Sequence, residues 1–326
     1  MNEQPGHAEP ASRALRSRIP PRAAGRRLLD YLVERYRYLD TAAWQRELAA
    51  GRIELDGVLA AQGTVLRAGA QLCWHKQQHE PFADTNFTLL HQDASLVVVD
   101  KPAHLTMHAD GPFVHQTLVQ LLRQRLRAPD LQLVHRLDRE TSGVCVVAAT
   151  AAARRHLHEQ FAASAVRKVY RAVVHGHVAT AFIATAPIGR ATASSIALRR
   201  AAGEHASAAA PAETRFWPEA HGPGVTLLRC EPTTGRTHQI RVHLEANGTP
   251  VLGDKLYGHP DAHYLEFVAR VKRDGDARHV AAGEPDRQLL HASELTLLHP
   301  DTGAHCTFTA PLPSAFAAWL ARGCTQ

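Results

Sequence analysis

Asp138 stands in "LVHRLDRETSGVCVVAAT", residues 133–150, with Arg136 two positions before it and Arg139 directly after it. A carboxylate held beside a guanidinium stays ionised at neutral pH, which suits a nucleophile or electrostatic stabiliser better than a proton donor. The segment places Asp138 where a strand ends and "RETSG" turns the chain, so its side chain can face a cleft while its flanks stay buried. A loop carboxylate that ties down its own turn through backbone N–H groups explains the same residues, and taken alone it is the simpler account. A second dense stretch is "GRTHQIRVHL", residues 235–244. On a helix Thr237, Arg241 and Leu244 share one face, so the Arg241 guanidinium either turns inward beside an apolar residue, where it needs an anion, or lies exposed on a solvated helix face. His238 and His243 fall on other faces.

The parts of several other chemistries are missing. There is no Gly-rich phosphate loop, no Gly-x-Ser-x-Gly elbow and no Gly-x-Gly-x-x-Gly fingerprint, so nucleotide hydrolysis, acyl transfer and nicotinamide chemistry lack their usual residues. His104 with His108, and His238 with His243, have the look of metal pairs, but neither has a third ligand at helical or hairpin spacing. They are read as surface or core histidines. The five cysteines are odd in number, widely spaced and never in a Cys-x-x-Cys pair, so they encode neither a disulfide framework nor a zinc site. No metal and no cofactor is expected. Clustered carboxylates of a metal-dependent nuclease or phosphoesterase are also absent from the sequence pattern.

The elements that must position these residues follow from periodicity. "RRLLDYLVERYRYLD" has a helical apolar stripe, and a second helix starts near Asp40 or Thr41, carries Trp44 and Leu48, and stops at Gly51. The Asp-Gly pair in "RIELDGVLA" predicts a hairpin, and "GAQLCWH" a further strand. These make a small α/β module over residues 21–80, preceded by a flexible arginine-rich tail, 1–20, and followed by a linker, 81–86. From residue 87 to about 320 strands and helices alternate: a helix near 115–127, strands at 131–137 and 143–149, a helix capped by Thr150, the strand "KVYRAVVHG", the strand "VTLLRCE", the "GRTHQIRVHL" helix ending at Asn247 and Gly248, and a terminal hairpin. Residues 191–212, rich in Ala and Ser, read as an exposed loop or flap.

Charge points to a partner. Of 326 residues, 37 are Lys or Arg and 31 Asp or Glu, and this net charge of +6 favours a polyanion. Arg13, Arg16, Arg18, Arg22, Arg26 and Arg27 follow one another with no acid between them. No apolar run approaches a signal peptide or the ~20 residues of a membrane span, so a cytoplasmic chain without membrane contact is expected.

Six stretches in order, "LVVVDKPAHLTMH", "HRLDRETSG", "RKVYRAVVHG", "TGRTHQIRVHL", "GDKLYG" and "LLHASELTLLHPDTGAHCTFTAPLP", resemble the RluA family of RNA pseudouridine synthases over residues 87–313. The module from Arg26 to about Lys76 is similar to the small αL RNA-binding domain, first recognised in a small-subunit ribosomal protein, that is often fused ahead of this catalytic domain. The resemblance implies an α+β fold, with a central, largely antiparallel mixed sheet flanked by helices. It also implies an isomerase that breaks the bond from ribose to the base nitrogen of a uridine in RNA, turns the base and rejoins it through carbon, with no cofactor and no metal. The base must leave its stack first, at a cost of a few kcal/mol.

By motif position, Asp138 matches the aspartate that acts on the ribose, as nucleophile or as the base that removes its 2′ proton. Arg241 matches the arginine that pairs with it, and Tyr170 the tyrosine that packs on the base and assists proton removal from its carbon. Arg136 matches a residue able to fill the gap left by the flipped base. Lys168 is expected to meet phosphates, and Arg139, Thr141, His238 and Leu244 complete the expected substrate contacts. The partner is RNA, with ribosomal RNA favoured because an additional RNA-binding module rewards a large folded target, transfer RNA as the alternative, and a monomer expected. The rival reading is a non-catalytic RNA-binding or assembly protein on the same fold.

Overall fold

The computed structural model describes residues 12–37, 39–77, 80–274, 276, 278 and 283–323. Two compact units divide the chain, Met1–His79 and Glu80–Gln326. In the first, Leu28–Arg35 and Thr41–Ala49 are helices. Asp40 caps the second helix by accepting the Ala43 N–H at 2.7 Å, and Gly51 at φ +66° follows its end. Asp56 and Gly57 both have positive φ, as a two-residue turn between Ile53–Leu55 and Val58–Leu59 requires. Leu28, Leu32, Trp44, Ile53, Leu72 and Trp74 share one core.

The flexible tail is corrected where it is described. Ser12–Arg18 is a strand, antiparallel to Gln71–Gln77. Alternation accounts for it: Leu15 packs on the core while Arg16 and Arg18 are exposed. Residues 1–11 lie outside the described residues.

The second unit is built on a ten-stranded sheet. Its main path runs Phe182–Ala184, Thr214–Gly222, Val225–Pro232, Arg167–His175, Leu290–Leu298, Ser142–Ala148, Leu96–Lys101 and Thr88–Gln92, with Gln132–Leu133 and His305–Thr309 attached beside it. One pairing is parallel, between Ser142–Ala148 and Leu290–Leu298, and the others are antiparallel. The α+β class and largely antiparallel sheet match the expectation. The run "LVVVD" is apolar throughout because both faces are covered. Val97, Val99, Cys145 and Val147 meet Leu118 and Leu122 of the Leu118–Leu126 helix, whereas Leu96, Val98, Val144 and Val146 meet Ala153 and Leu157 of the Ala151–Ala162 helix.

Three other expectations change. The strand expected over 131–137 is only Gln132–Leu133, because the chain leaves the ladder to carry residues 134–141 over the cleft. Within 81–86, expected as a linker, Ala83 is buried in the same core as Phe87. Residues 191–212 are not a loose flap: Ile188–Ala191, Arg200–Ala202 and Ala206–Ala210 form a three-stranded sheet. Ile188, Ile196 and Ala212 anchor it on Val242, Leu256 and Tyr257. Helices Gln239–Ala246, Asp261–Asp274 and Ser314–Arg322 complete the unit.

Gly143, in the "RETSG" turn, shows why that motif ends in glycine. Its φ is +113°, and a Cβ there would lie 2.1 Å from the Ala292 carbonyl oxygen across the parallel pairing. Gly143→Ala is therefore expected to destabilise the unit by about 3 kcal/mol, read as a lowered urea midpoint with an unchanged slope.

Candidate active site

Residues 134–141 are held from below and leave three side chains free to face the cleft. Val134 and Leu137 drop into the two cores that cover the sheet. His135 accepts the Val146 N–H at 2.9 Å through Nε2 and stacks on Phe161, 4.8 Å between centroids. The buried Lys101 donates from Nζ to the carbonyls of Pro102, Leu105 and Arg139 at 2.9, 2.9 and 3.3 Å, three acceptors for three N–H bonds. Burial pushes Lys101 down to about 7. Asp138 then projects into a cavity of about 330 Å³, with Arg136 exposed at its edge and Thr141 in its wall.

The helix Gln239–Ala246 supplies the opposite wall. Its entry is fixed by Gln239, whose Oε1 accepts from the Thr234 hydroxyl and the Arg236 N–H, and whose Nε2 donates to the Glu213 carbonyl and to Thr214. His238 precedes the helix at φ +59°. Arg241 Nη1 donates to Asp138 Oδ2 at 2.7 Å, while Nε and Nη2 hold both oxygens of Asp254 at 2.6 and 2.9 Å. The Asp254 side chain is 0% exposed, and its Oδ1 also accepts the N–H groups of Leu256 and Tyr257. The Tyr257 ring lies under the guanidinium, 4.8 Å from its centroid. Its hydroxyl pairs with His238 Nδ1 at 2.8 Å and accepts the Arg200 N–H at 3.1 Å. The small Ala-rich sheet thus buttresses the arginine from behind.

Electrostatics follow from this enclosure. Burial by itself would raise the Asp138 carboxyl, but His238, the Arg241 charge and hydrogen bonds from Arg241 and Gln288 bring it down to about 2. Burial, with Arg241 next, pushes His238 down to about 4. His238 is therefore uncharged at neutral pH, and Arg241 is the cation that keeps Asp138 ionised there. Burial first, then the Asp138 charge, raises the Tyr170 phenol far above its usual value, so it remains neutral. The Tyr170 hydroxyl makes no hydrogen bond among the described residues, and Tyr170 lines the cavity.

The structure brings Asp138, Tyr170, Arg241, Arg136, Thr141, Lys168 and His238 to one cavity. His238 Nε2 stands 3.8 Å from Asp138 Oδ1. Lys168 donates to the Thr234 carbonyl at 3.0 Å, so its ammonium braces the 232–236 loop. Thr141 accepts from Gln288 at 2.7 Å. Arg139 faces a second cavity of about 280 Å³ that also touches Arg136, Asp138, His238 and Arg241. It pairs with Glu140, itself bound by Lys255 at 2.9 Å. Leu244 is corrected as a substrate contact: it is fully buried among Ala172, Val174 and Leu228, one helical turn below the cavity. Asp254, Tyr257, Gln288 and Lys101 were not singled out from sequence. Asp254 and Tyr257 sit in "GDKLYG" and Lys101 in "LVVVDK", so the signal was present but their partners were not visible.

Three buried histidines set an acid limit. His135, His238 and His291 are each held at about 4, chiefly by burial. An unfolded histidine has a pKa near ~6.5, so between ~6.5 and 4 the unfolded chain binds more protons and stability falls as pH falls. Melting temperature is expected to decline through that window, and His135→Gln to make the decline shallower.

Comparison with known proteins places this geometry. A family model described as RNA pseudouridylate synthase matches residues 95–246, the stretch from the Leu96–Lys101 strand to the end of the Arg241 helix. The chain is 34% identical over 320 residues to ribosomal large subunit pseudouridine synthase D of Xanthomonas campestris, covering 94% of this chain and 92% of that one.

The chain belongs to the RNA pseudouridine synthase family.

Ribosomal large subunit pseudouridine synthase C of Salmonella typhimurium is 35% identical over 246 residues, 74% of this synthase and 70% of its own length. The solved structure titled human RNA pseudouridylate synthase domain containing 1 superposes with a TM-score of 0.56 at 28% identity, covering 71% of this chain and 86% of that one. This synthase is accordingly an isomerase that converts uridine in RNA to pseudouridine. No helix among its described residues is long and apolar enough to cross a membrane.

Proposed function

We propose that this synthase isomerises a uridine of large-subunit ribosomal RNA, with Asp138, Tyr170 and Arg241 as the reacting set. The observation that carries the assignment is the Asp138–Arg241 pair in a cavity roomy enough for one base and lined by an uncommitted Tyr170 hydroxyl. Both compared relatives are named for the ribosomal large subunit, which supports its RNA as substrate over transfer RNA.

An ionised carboxylate held near pKa 2 has the charge needed either to attack the ribose anomeric carbon or to take its 2′ proton. Arg241 fixes one oxygen and leaves Oδ1 toward His238 and the cavity. Tyr170, neutral throughout the working range, contributes a ring face for the detached base and a hydroxyl oxygen near its carbon, and no phenolate. Arg136, without a partner among the described residues, is placed at the opening to occupy the stack vacated by the flipped nucleotide. In the first unit Arg22, Arg26, Arg35 and Arg37 line a cavity of about 390 Å³ with Tyr31 and Glu34. That supports a role in RNA binding despite six basic against seven acidic groups over residues 28–80.

Pseudouridine mapping of total RNA from cells with and without the gene tests this reading. Loss of one large-subunit position is the expected result. Loss confined to transfer RNA reassigns the substrate, and an unchanged map favours a binding or assembly role.

A further inference from the structure

In the first unit three side chains of ligand type converge on a sheet face away from the core. Glu54 lies on Ile53–Leu55, while Cys73 and His75 lie on Gln71–Gln77, and the antiparallel register sets Glu54 opposite Cys73. His75 follows Cys73 by two positions, so alternation puts all three on one face. The register is fixed from the other side, because Ile53, Leu55, Leu72 and Trp74 pack into the core. His75 Nε2 is 3.0 Å from Glu54 Oε1 and 3.7 Å from Cys73 Sγ, and the three ligand atoms lie within 4.8 Å of one another. Around a tetrahedral zinc ion with bonds of about 2.0–2.3 Å, adjacent ligand atoms stand roughly 3.3–3.6 Å apart. The two separations that involve His75 bracket that figure and the third is within 4.8 Å, so side-chain adjustment suffices to close the site.

We propose that Glu54, Cys73 and His75 form a zinc site, with one thiolate, one imidazole, one carboxylate and a water in the fourth position. A His–Glu ion pair accounts for only two of the three groups. Cys73 is 7% exposed, and its thiol has His75 as its one hydrogen-bond neighbour among the described residues. Sulfur and nitrogen ligands select zinc and exclude magnesium and calcium. Arg16 neighbours Cys73 on the adjacent strand, but it is exposed and makes no ion pair with Glu54 among the described residues. The ion ties two strands of the small sheet together and stabilises the folded unit by mass action. No part of this site enters the isomerisation.

The test uses the full-length protein, freed of metal with a chelator and titrated with Co²⁺ and then Zn²⁺. One equivalent of Co²⁺ per chain is expected to produce thiolate-to-cobalt charge-transfer absorption, which Zn²⁺ abolishes by displacement. Cys73→Ser is expected to lose the band, Glu54→Gln to weaken binding by about tenfold or more, and Cys306→Ser to leave both unchanged. Absence of the band in the unsubstituted protein, or an equal band in Cys73→Ser, overturns the site. Unfolding of a variant is detected separately by circular dichroism, and the Glu54→Gln affinity then decides. Pseudouridine formation by the variants is expected to match the unsubstituted protein on a short uridine-containing substrate.

Discussion

Asp138→Asn is expected to slow single-turnover pseudouridine formation by about four orders of magnitude or more, while RNA affinity changes by less than roughly tenfold. The substitution keeps the shape, and the amide oxygen still accepts from Arg241 Nη1. What it removes is the charge proposed to act on the ribose. The fold survives because Arg241 retains its two hydrogen bonds to Asp254. Affinity survives because it is dominated by phosphate contacts, which the substitution does not touch. The measurement is tritium or mass-based product formation with enzyme in excess, beside a filter-binding isotherm. Near-normal rates with near-normal binding would assign the chemistry to another group.

Arg241→Met acts on stability and on pH dependence together. Asp254, fully enclosed, is left as an unpaired buried charge, which costs about 3–5 kcal/mol. Asp138 loses the cation that offsets its burial, so its carboxyl moves up from about 2. With Tyr170 held far above its usual value, neither group proposed to react titrates near neutrality in the unsubstituted enzyme, so neither gives its chemical step a slope there. In the variant the active, ionised form of Asp138 is gained only as pH rises through the new pKa. A rate that climbs with pH is therefore expected where the parent is level. Arg241→Lys separates the effects: a cation remains, so the profile stays level, but the fork that grips Asp254 is gone and the rate falls. A level profile in Arg241→Met would mean that Arg241 does not control the charge of Asp138.

The chemistry was more legible than its support. Asp138 and Arg241 were recognisable because each stands in a dense, ordered motif, although spacing alone left a turn-binding carboxylate and an exposed arginine open, and only the family resemblance joined the two. Asp254 was not, because a carboxylate in "GDKLYG" gives no local sign that it will be fully enclosed against Arg241, thirteen residues earlier in the chain. Leu244 was misplaced because it lies one helical turn beyond Arg241, where the same helix has left the cavity and packs on Ala172, Val174 and Leu228. The Ala-rich segment was misread for a different reason. Alanine has little strand preference, and pairing there is set by close backbone approach, as at Gly189, whose added Cβ would lie 2.2 Å from the Ser207 carbonyl oxygen. Cross-strand neighbours such as Glu54 and Cys73 depend on register, which spacing along the chain does not reveal.

The parallel pairing of Ser142–Ala148 with Leu290–Leu298 has a kinetic consequence. Ser142 and His291 share a 2.8 Å hydrogen bond across 149 positions of chain, and the turn bearing Asp138 is anchored at that seam. Closing so large a loop delays the contact until most of the unit has collapsed, since its entropy must be offset before the pairing gains anything. During refolding, catalytic competence should accordingly be the last signal to return, arriving with the slowest phase and well after helical content has recovered.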